Sequence, residues 1–594
     1  MRRAQIARFF SSRYTEAFSN PNGPRVAPLH PACSWHSLKR LMIKACDGLA
    51  NRHGLSDSHP ASGLNGNRAH APFSAAAAGA AISGPPGAAG AGIAAGSGPV
   101  GSRAAHGALS TVLFAALNKV VTFVTQIGLA WFLVPEEFGL VAMTLSVMSV
   151  SALFGGATLR TVLIQKSDRF EQAAGQVFWL GLILNLVTAG LLAATSPIAA
   201  ALFREPRVVP LILVAAIAPP IQSLSIIYAA ALNRSLQFSS LARIQFLGGL
   251  AQNIFGLVLA AAGAGALALI VPLTLNAIVA GVLYRHAAGA LPLGRPQPRQ
   301  WREFQGPVLW LMLHTFCVAL QTAGPNFVLG LVEHDANTTG YYYWGFSLAA
   351  QAIFLLVTNL QSVLFPALHQ LNHDHGRQAT AVEKACGTLT LVMLPVILLQ
   401  ALLAGPFVKL FFAERWAPSI PVVQWISLGL LTQPVGLMAI SVLMARGQFK
   451  QLAGISALIA ISLTLAAGTG AAVGTHVDTA QWTGVTLLVV NLAAGGLAWR
   501  GLGCNGFGLV GKVLPLLALG IPLGLIGAWT GRLVAPRGPV PHLILVTLVV
   551  AVLYLGLVKL FQPRLLQDLL LRLQARSGPM ADGPADLPST ELRP

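Results

Sequence analysis

Long apolar segments alternate with short polar connections along most of the chain. From residue 109 onward, fourteen such segments are each long enough to cross the roughly 30 Å hydrocarbon core of a bilayer as an α-helix. They do not alternate polar and apolar positions over about ten residues, as the strands of membrane barrels do. The pattern predicts an all-α polytopic membrane protein with about 14 transmembrane helices, over residues 109–133, 138–160, 175–203, 207–232, 241–262, 264–286, 304–331, 340–365, 384–412, 418–444, 449–473, 479–499, 507–531 and 540–562.

Proline lies inside several of these segments without ending the apolar run. In a membrane bundle, neighbouring helices can satisfy the backbone groups that a proline leaves unpaired. We therefore expect kinks rather than breaks at these positions, which are Pro197, Pro219, Pro220, Pro272, Pro325, Pro395 and Pro434.

A weak internal repeat relates the first six segments to the next six. Gly139-Leu140 matches Gly340-Tyr341 at an offset of 201 residues, and Gln237-Phe238 matches Gln448-Phe449 at an offset of 211. Because six segments separate the matching points, an even number, both copies should run the same way through the membrane. Parallel repeats of this kind occur in transporters whose substrate site lies between the two copies.

The same features divide the chain into consecutive regions. Residues 1–108 are rich in Gly, Ala, Pro and Ser, cannot bury enough apolar surface to fold, and are expected to form a disordered basic leader. We predict two parallel six-helix lobes, the first half at 109–286 and the second half at 304–499, joined by a basic cytoplasmic linker. The remaining regions are the linker at 287–303, two extra helices at 507–562, an interfacial amphipathic helix at 563–576 and a disordered tail at 577–594.

Composition and charge support a membrane protein and predict its orientation. Hydrophobic residues make up 55% of the chain and charged residues only 10%, against about 25% charged residues in soluble domains. The net charge of +19 does not indicate nucleic-acid binding, because no soluble region is large enough to present a basic face. Basic residues are more numerous in the connections on the side of the N-terminus, so we expect both termini in the cytoplasm.

The sequence gives no sign of a cofactor. The five cysteines show no paired spacing, and Cys33, His36 and Cys46 are poorly spaced for zinc. No phosphate-binding loop or glycine-rich dinucleotide motif follows a predicted strand, which argues against an ATP-driven exporter subunit.

Five short motifs occur in a fixed order along the chain and resemble a known set of patterns. They follow segments one, two, seven, eight and nine and resemble the family patterns "GP-E-D/E-FG", "ALIQ+", "GYY", "LFPALS" and "EKWAP". Two departures are Val134, where glycine is usual, and Arg160, where a small or polar residue is common. The motifs are Val134-Pro135-Glu136-Glu137-Phe138-Gly139-Leu140, Val162-Leu163-Ile164-Gln165-Lys166, Gly340-Tyr341-Tyr342, Leu364-Phe365-Pro366-Ala367-Leu368 and Glu414-Arg415-Trp416-Ala417-Pro418.

The chain thus resembles the polysaccharide transport branch of the multidrug/oligosaccharidyl-lipid/polysaccharide exporter superfamily, with its Wzx-like flippases. The resemblance covers roughly residues 109–500 and does not include the leader. It implies movement of polyprenyl-pyrophosphate-linked oligosaccharides across the bacterial inner membrane, without enzymatic activity. It also implies contact with membrane lipids, and with a polysaccharide polymerase and a chain-length regulator as partners.

Lys119 is the strongest candidate for binding an anionic cargo. It lies ten residues into the first segment, about 15 Å along a helix and therefore near the middle of the bilayer. A lysine at that depth costs at least about 2.5–3.5 kcal/mol unless it meets water or a partner. Asn118, Thr122 and Gln126 lie on the same side of the helix, which predicts a polar stripe that faces inward. The alternative is that Lys119 extends towards the cytoplasmic surface.

Other polar residues are weaker candidates with ordinary structural alternatives. Arg160 could bind a pyrophosphate as a bidentate donor. The preference for basic residues in cytoplasmic connections explains Arg160 as well, and it also explains Arg234 and Arg243. His314 could be a second cavity cation or a hydrogen-bonded residue of the bundle. Sugar binding and interhelical hydrogen bonding are equally open for Gln321 and Asn326, and for Gln245, Gln252, Asn253 and Asn276.

The aromatic run Tyr341-Tyr342-Tyr343-Trp344 falls at a predicted membrane boundary. We interpret it as part of an aromatic belt, with sugar stacking as the alternative.

Two rival functions remain open at this point. An ion-coupled multidrug or cation antiporter of the same fold would normally need carboxylates inside the membrane, and every acidic residue after 108 lies in a connection, at a segment edge or in the tail. A polysaccharide polymerase or ligase would be expected to carry a sizeable external loop with catalytic residues, and the external connections predicted here are short.

Overall fold

The helices predicted from the apolar segments are present in the computed structural model, which describes most of the chain from residue 99 onward. The described residues are 99–154, 170–235, 237–289, 307–351, 374–501 and 506–561, with 291, 293–297, 301, 368 and 371. Within these ranges the chain forms helices, turns and connections and no β-strand, which confirms the all-helical class. All of these residues belong to one compact unit.

The helices are numbered in chain order. In the first half they are α1 (Pro99–Phe132), α2 (Pro135–Met148, continued by a 3₁₀ turn at Ser149–Phe154), α3 (Phe170–Phe203), α4 (Val208–Ala215), α5 (Ala218–Arg234), α6 (Phe238–Ala261) and α7 (Leu267–Ala288). In the second half they are α8 (Pro307–Glu333), α9 (336–351), α10 (His375–Phe411), α11 (Ile420–Gly429), α12 (Gln433–Ala445), α13 (Phe449–Val473) and α14 (His476–Arg500). The helices that follow are α15 (Gly506–Ala518), α16 (Gly520–Val534) and α17 (Pro539–Phe561).

The described helices form enough long apolar spans for a multi-pass membrane protein. Thirteen stretches among the described residues are long and apolar enough to cross a bilayer. The remaining predicted span, 340–365, corresponds to α9, which is helical over 336–351; residues 352–365 lie outside the described residues. The chain is therefore a multi-pass membrane protein.

Three predicted segments are each divided into two consecutive helices, which the apolar pattern did not reveal. The segment 207–232 is divided into α4 and α5, 418–444 into α11 and α12, and 507–531 into α15 and α16. Pro219, Pro220 and Pro434 lie in the first turns of α5 and α12, where a missing N–H costs nothing. Each divided segment still forms one span, so the expectation of kinks rather than breaks stays a prediction at these three prolines. Pro197, Pro272, Pro325 and Pro395 do lie inside continuous helices.

The predicted disordered leader ends earlier than expected. Helix α1 begins at Pro99, so the prediction of disorder is wrong for residues 99–108. An alanine-containing stretch that continues a long helix does not have to nucleate a helix of its own, so its extension costs little free energy. The rest of the leader, the amphipathic helix at 563–576 and the tail at 577–594 lie outside the described residues.

Helix packing is extensive within each predicted half. In the first half α6 packs against α1 and α7, and α5 against α3 and α7; in the second half α13 packs against α8 and α14, and α14 against α11 and α12. Helices α15–α17 pack on α10, where the Tyr554 hydroxyl donates to the carbonyl of Leu391 and Lys512 Nζ lies 2.6 Å from Glu383 Oε2. The boundaries of the halves stay a prediction.

The linker between the halves is anchored to the first half. The buried Gln176 of α3 donates from Nε2 to the carbonyl of Arg295 at 2.9 Å and accepts from the amide of Gln297 at 2.7 Å. Trp179 Nε1 donates to the carbonyl of Gly294 at 3.0 Å.

Candidate functional site: the face between the two halves

The two halves approach each other closely where α2 and α9 begin. A Cβ atom on Gly139 would lie 1.7 Å from the carbonyl oxygen of Ala336, and one on Gly340 would lie 1.8 Å from the carbonyl oxygen of Pro135. Each glycine therefore lies directly against the backbone of the opposite helix. The two contacts are equivalent, because Gly340 follows Gly139 and Ala336 follows Pro135 by the same 201 residues as the sequence repeat.

Next to this crossing, the end of α1 is held by residues of the second half. Trp416 Nε1 donates to the carbonyl of Ala130 at 2.9 Å, and Arg415 Nη2 donates to the carbonyl of Trp131 at 2.5 Å. In the opposite direction, Trp131 Nε1 donates to the carbonyl of Phe411 at 2.8 Å. The end of the bundle where α1 ends and α2 begins, here called the α1–α2 end, is thus closed between the halves.

Lys119 lies on the side of α1 that faces the second half. At 100° per residue, Phe123, Gln126 and Ala130 lie within about 40° of Lys119 around the helix axis. Phe123 packs near Phe407 of α10, with ring centroids 6.2 Å apart, and Gln126 Oε1 accepts from Gln351 Nε2 of α9 at 3.1 Å. Lys119 is half-buried and lies one to two turns further from the α1–α2 end than these contacts.

The exposed apolar side of α1 is not the side on which Lys119 lies. Val120, Val124 and Trp131 have exposed fractions of 60%, 61% and 64%, and they lie about 100–140° away from Lys119 around the axis. Lys119 therefore does not share the apolar exposed face of its helix.

Two members of the predicted polar stripe turn towards a helix of their own half instead. The Oδ1 of Asn118 lies against Gly249 of α6 and has no hydrogen-bond partner among the described residues. Thr122 Oγ1 donates to the carbonyl of Asn118 at 2.8 Å and accepts from Asn253 Nδ2 at 3.4 Å. The stripe is thus divided: Asn118 and Thr122 pack against α6, and Gln126 reaches the second half.

The polar residues of α8 lie mostly within the second half. His314 is buried, with Nδ1 2.6 Å from Ser456 Oγ of α13, and Gln321 Nε2 lies 3.5 Å from the carbonyl of Ser456. Asn326 is buried on another side of α8; its Nδ2 donates to the carbonyl of Thr322 at 2.8 Å and its Oδ1 has no partner among the described residues. The contacts described for His314 and Gln321 are thus with α13 of their own half.

The remaining sequence candidates fall outside this face. Arg160 lies outside the described residues. In the first half, Asn276 Nδ2 donates to Gln252 Oε1 at 2.9 Å and Asn253 Nδ2 donates to the carbonyl of Gly249 at 2.8 Å, which are contacts between and within α6 and α7. Gln245 Nε2 is buried without a partner among the described residues.

The aromatic run of α9 is not a simple membrane belt. Tyr342 and Trp344 are fully buried. Tyr342 donates to Thr483 Oγ1 at 3.3 Å, and Trp344 stacks on Trp416 with ring centroids 4.5 Å apart. The belt interpretation is wrong for these two residues, because the start of α9 is covered by both α14 and the Trp416 turn.

Sequence reasoning missed the contributions of Arg415 and Trp416 to this face. Both belong to a motif that was recognised only as a family resemblance, and nothing in the local pattern shows that it reaches the end of α1. A basic residue of the first half at the same end, Arg207, pairs instead with Glu136 at 2.7 Å and with Glu205 at 3.0 Å. Its hydrogen bonds, first of all to Glu136, raise the pKa of Arg207 above its ordinary value.

Comparison with known proteins identifies relatives in bacterial polysaccharide synthesis. A family described as "Polysaccharide biosynthesis protein" matches residues 129–421. The chain is 26% identical to the succinoglycan biosynthesis transport protein ExoT of Rhizobium meliloti over 78% of this chain and 95% of that protein. It is 23% identical to the lipopolysaccharide biosynthesis protein WzxC of Escherichia coli, over 58% of this chain and 70% of that protein.

Two solved structures share the fold. The lipid II flippase MurJ, in a conformation described as inward closed, superimposes with a TM-score of 0.61 at 13% identity, covering 77% of this chain and 99% of that one. A multidrug resistance transporter of the MATE family, in an inward-facing conformation, gives a TM-score of 0.51 at 14% identity, covering 65% and 94%. The chain thus shares its fold with these transporters, and its sequence is similar to proteins of bacterial polysaccharide biosynthesis, in agreement with the ordered motifs.

Proposed function

We propose that this protein is a flippase for polyprenyl-pyrophosphate-linked oligosaccharides in the bacterial inner membrane, serving exopolysaccharide, O-antigen or capsule synthesis. The two halves would part alternately at either end of the bundle. With both termini in the cytoplasm, the α1–α2 end faces the periplasm. A polymerase and a chain-length regulator would then act on the delivered units.

The position of Lys119 is the observation that carries this proposal. A half-buried cation on the face between the halves, near the middle of a membrane span, can attract the pyrophosphate of the cargo. Gln126 lies about two turns closer to the α1–α2 end and accepts a hydrogen bond from Gln351 of α9. When the halves part there, both amides are released and can bind sugar hydroxyls.

The distribution of acidic residues favours an anionic cargo over a cationic one. Among the described residues every carboxylate lies in a connection or towards a helix end. Glu383 is the furthest inside a helix, eight residues into α10, and it is paired with Lys512. These positions do not supply the central carboxylate that a cation antiporter would need, so the shared fold with multidrug transporters does not favour that function here.

Replacing Lys119 tests the proposal in cells. In a strain that lacks this gene, Lys119→Ala should lower polysaccharide output by about tenfold or more, since a hydrogen bond to a charged group contributes about 1.5–3 kcal/mol. Lys119→Arg should retain part of the output because it keeps the charge.

Lys450 provides a matched control. It is exposed at the start of α13, with Nζ 5.9 Å from the ring centroid of Trp310, and Lys450→Ala should leave output unchanged. Membrane levels of each variant are measured by immunoblot. Normal output from Lys119→Ala would contradict the proposal.

A further inference from the structure

The last carbonyl groups of α1 cannot be satisfied within their own helix. The carbonyl of Trp131 would normally accept from the amide of residue 135, which is Pro135 and has no N–H. The carbonyl of Ala130 would accept from the amide of Val134, but that amide donates to Glu137 Oε2 at 2.9 Å as part of the cap of α2. The short turn between α1 and α2 therefore leaves two carbonyls in need of donors.

The second half supplies those donors. Trp416 Nε1 donates to the carbonyl of Ala130 at 2.9 Å, and Arg415 Nη2 lies 3.1 Å from the same carbonyl oxygen and 2.5 Å from that of Trp131. A guanidinium at this position also places a positive charge at the negative end of the helix dipole of α1. The C-terminal cap of a helix in one half is thus built from side chains of the other.

The cap is held rigidly on the side of the second half. Trp416 is fully buried and stacked on Trp344 of α9. Its ring also meets the edge of Phe138 of the first half, with ring centroids 5.1 Å apart. Because stacking fixes the indole, its N–H is aimed at Ala130 without a further loss of side-chain freedom.

The cap is one-sided, unlike the symmetric glycine crossing beside it. The same repeat relates Leu202-Phe203 and Glu205 of the first half to Phe411-Phe412 and Glu414 of the second, at an offset of 209 residues. The arginine that follows it, Arg207, binds Glu205 and Glu136 of its own half. The described residues therefore show a cap across the halves at α1 and an ion pair within one half at the equivalent turn.

We propose that Arg415 and Trp416 form a latch that holds the two halves together at the α1–α2 end. Parting of the halves there removes the donors from Ala130 and Trp131 at once, and the loss is costly above all at the buried hydrogen bond between Trp416 and Ala130. The latch thus biases the resting protein towards closure at this end. It rests on the proposed function only in that the halves must part during transport.

Distance measurements between spin labels test the latch without any cargo. Labels at Pro206→Cys in the first half and Val473→Cys in the second half lie at exposed positions of the α1–α2 end, away from the latch, in a background without native cysteines. Trp416→Phe keeps the aromatic ring and removes the N–H; Arg415→Gln removes the charge and shortens the side chain. We expect each variant to raise the ratio of long to short distances by roughly tenfold.

Arg532→Gln is the matched control, because Arg532 is exposed near the end of α16 and outside both halves. It should leave the distance distribution unchanged. Unchanged distributions in both Trp416→Phe and Arg415→Gln, or an equal change in the control, would overturn the latch. Since no cargo is present, this result is independent of whether Lys119 binds pyrophosphate, and failure of either proposal leaves the other standing.

Discussion

At the scale of single residues, two glycines set the distance between the halves. Gly139 and Gly340 each face a backbone carbonyl of the opposite helix at a separation that no side chain could occupy. The sequence repeat aligned these glycines with each other, but it could not show that they meet. A repeat reveals equivalent positions and leaves open which surfaces they form.

Gly139→Ala should therefore be strongly destabilising. The added methyl group would meet the backbone of Ala336, which cannot rotate away, so the halves must separate or α2 must shift, at a cost of at least about 1–3 kcal/mol. Thermal melting of the purified protein in detergent measures the effect. Gly190→Ala in α3 is the control: nothing lies within 4 Å of its added methyl group, and this variant should melt at or above the wild-type temperature. Equal melting of both variants would show that the crossing is not tight.

Lys119 illustrates how far a residue pattern can be interpreted. Helical periodicity correctly kept it away from the exposed face of α1, which Val120 and Val124 occupy. It could not show that Asn118 and Thr122 have other neighbours than Gln126. These residues lie within 90° of each other around the axis of α1, and such a strip can contact α6 along one edge and the opposite half along the other. Periodicity tells which residues are neighbours on a helix and is silent about what that helix packs against.

At the scale of elements, the length of the apolar segments predicted nearly all the helices. The errors lie where one apolar segment contains two consecutive helices. The segment 207–232 has no polar residue to mark the division between α4 and α5, although Pro219 and Pro220 stand in the first turn of α5. In α10, Pro395 and Pro406 are tolerated in one continuous helix. Whether a proline starts a helix or lies within one depends on which neighbours can replace the lost hydrogen bond, and this is a property of the packed bundle.

The start of α9 gives a test at this scale. Asp335 caps it: Oδ2 accepts from the amide of Thr338 at 3.0 Å and from its hydroxyl at 2.7 Å, and Oδ1 accepts from the amide of Asn337 at 3.1 Å. Partial burial alone would raise the pKa of Asp335, but these hydrogen bonds lower it below its ordinary value. Asp335→Ala should cost about 1 kcal/mol of stability near neutral pH.

The pH dependence separates the charge of Asp335 from its geometry. A lowered pKa in the folded protein means that ionisation stabilises the fold above the ordinary pKa of 3.8, and that this contribution is lost as the pH falls through the lower folded value. The difference in melting temperature between wild type and Asp335→Ala should therefore become smaller as the pH falls below 3.8. Asp335→Asn keeps an acceptor and should show less of that pH dependence. A difference that is constant down to pH 3 would contradict this assignment.

At the scale of the whole molecule, the offset of 201 residues proved to be the most informative feature of the sequence. It predicted two equivalent copies, and the paired contacts of Gly139 with Ala336 and of Gly340 with Pro135 follow the same offset. What it could not predict is the departure from equivalence. Arg415 and Trp416 cap α1 across the halves, whereas Arg207 pairs within its own half, because the residues that follow Glu205 and Glu414 differ.

Flipping by the purified protein tests the central claim most directly. In vesicles that contain a polyprenyl-pyrophosphate-linked oligosaccharide with a fluorescent sugar, a reagent that cannot cross the membrane reports how fast the head group changes sides. We expect Lys119→Ala to fall to the rate of protein-free vesicles, while Lys450→Ala flips at the wild-type rate. Wild-type flipping by Lys119→Ala would show that the cation between the halves does not carry the cargo.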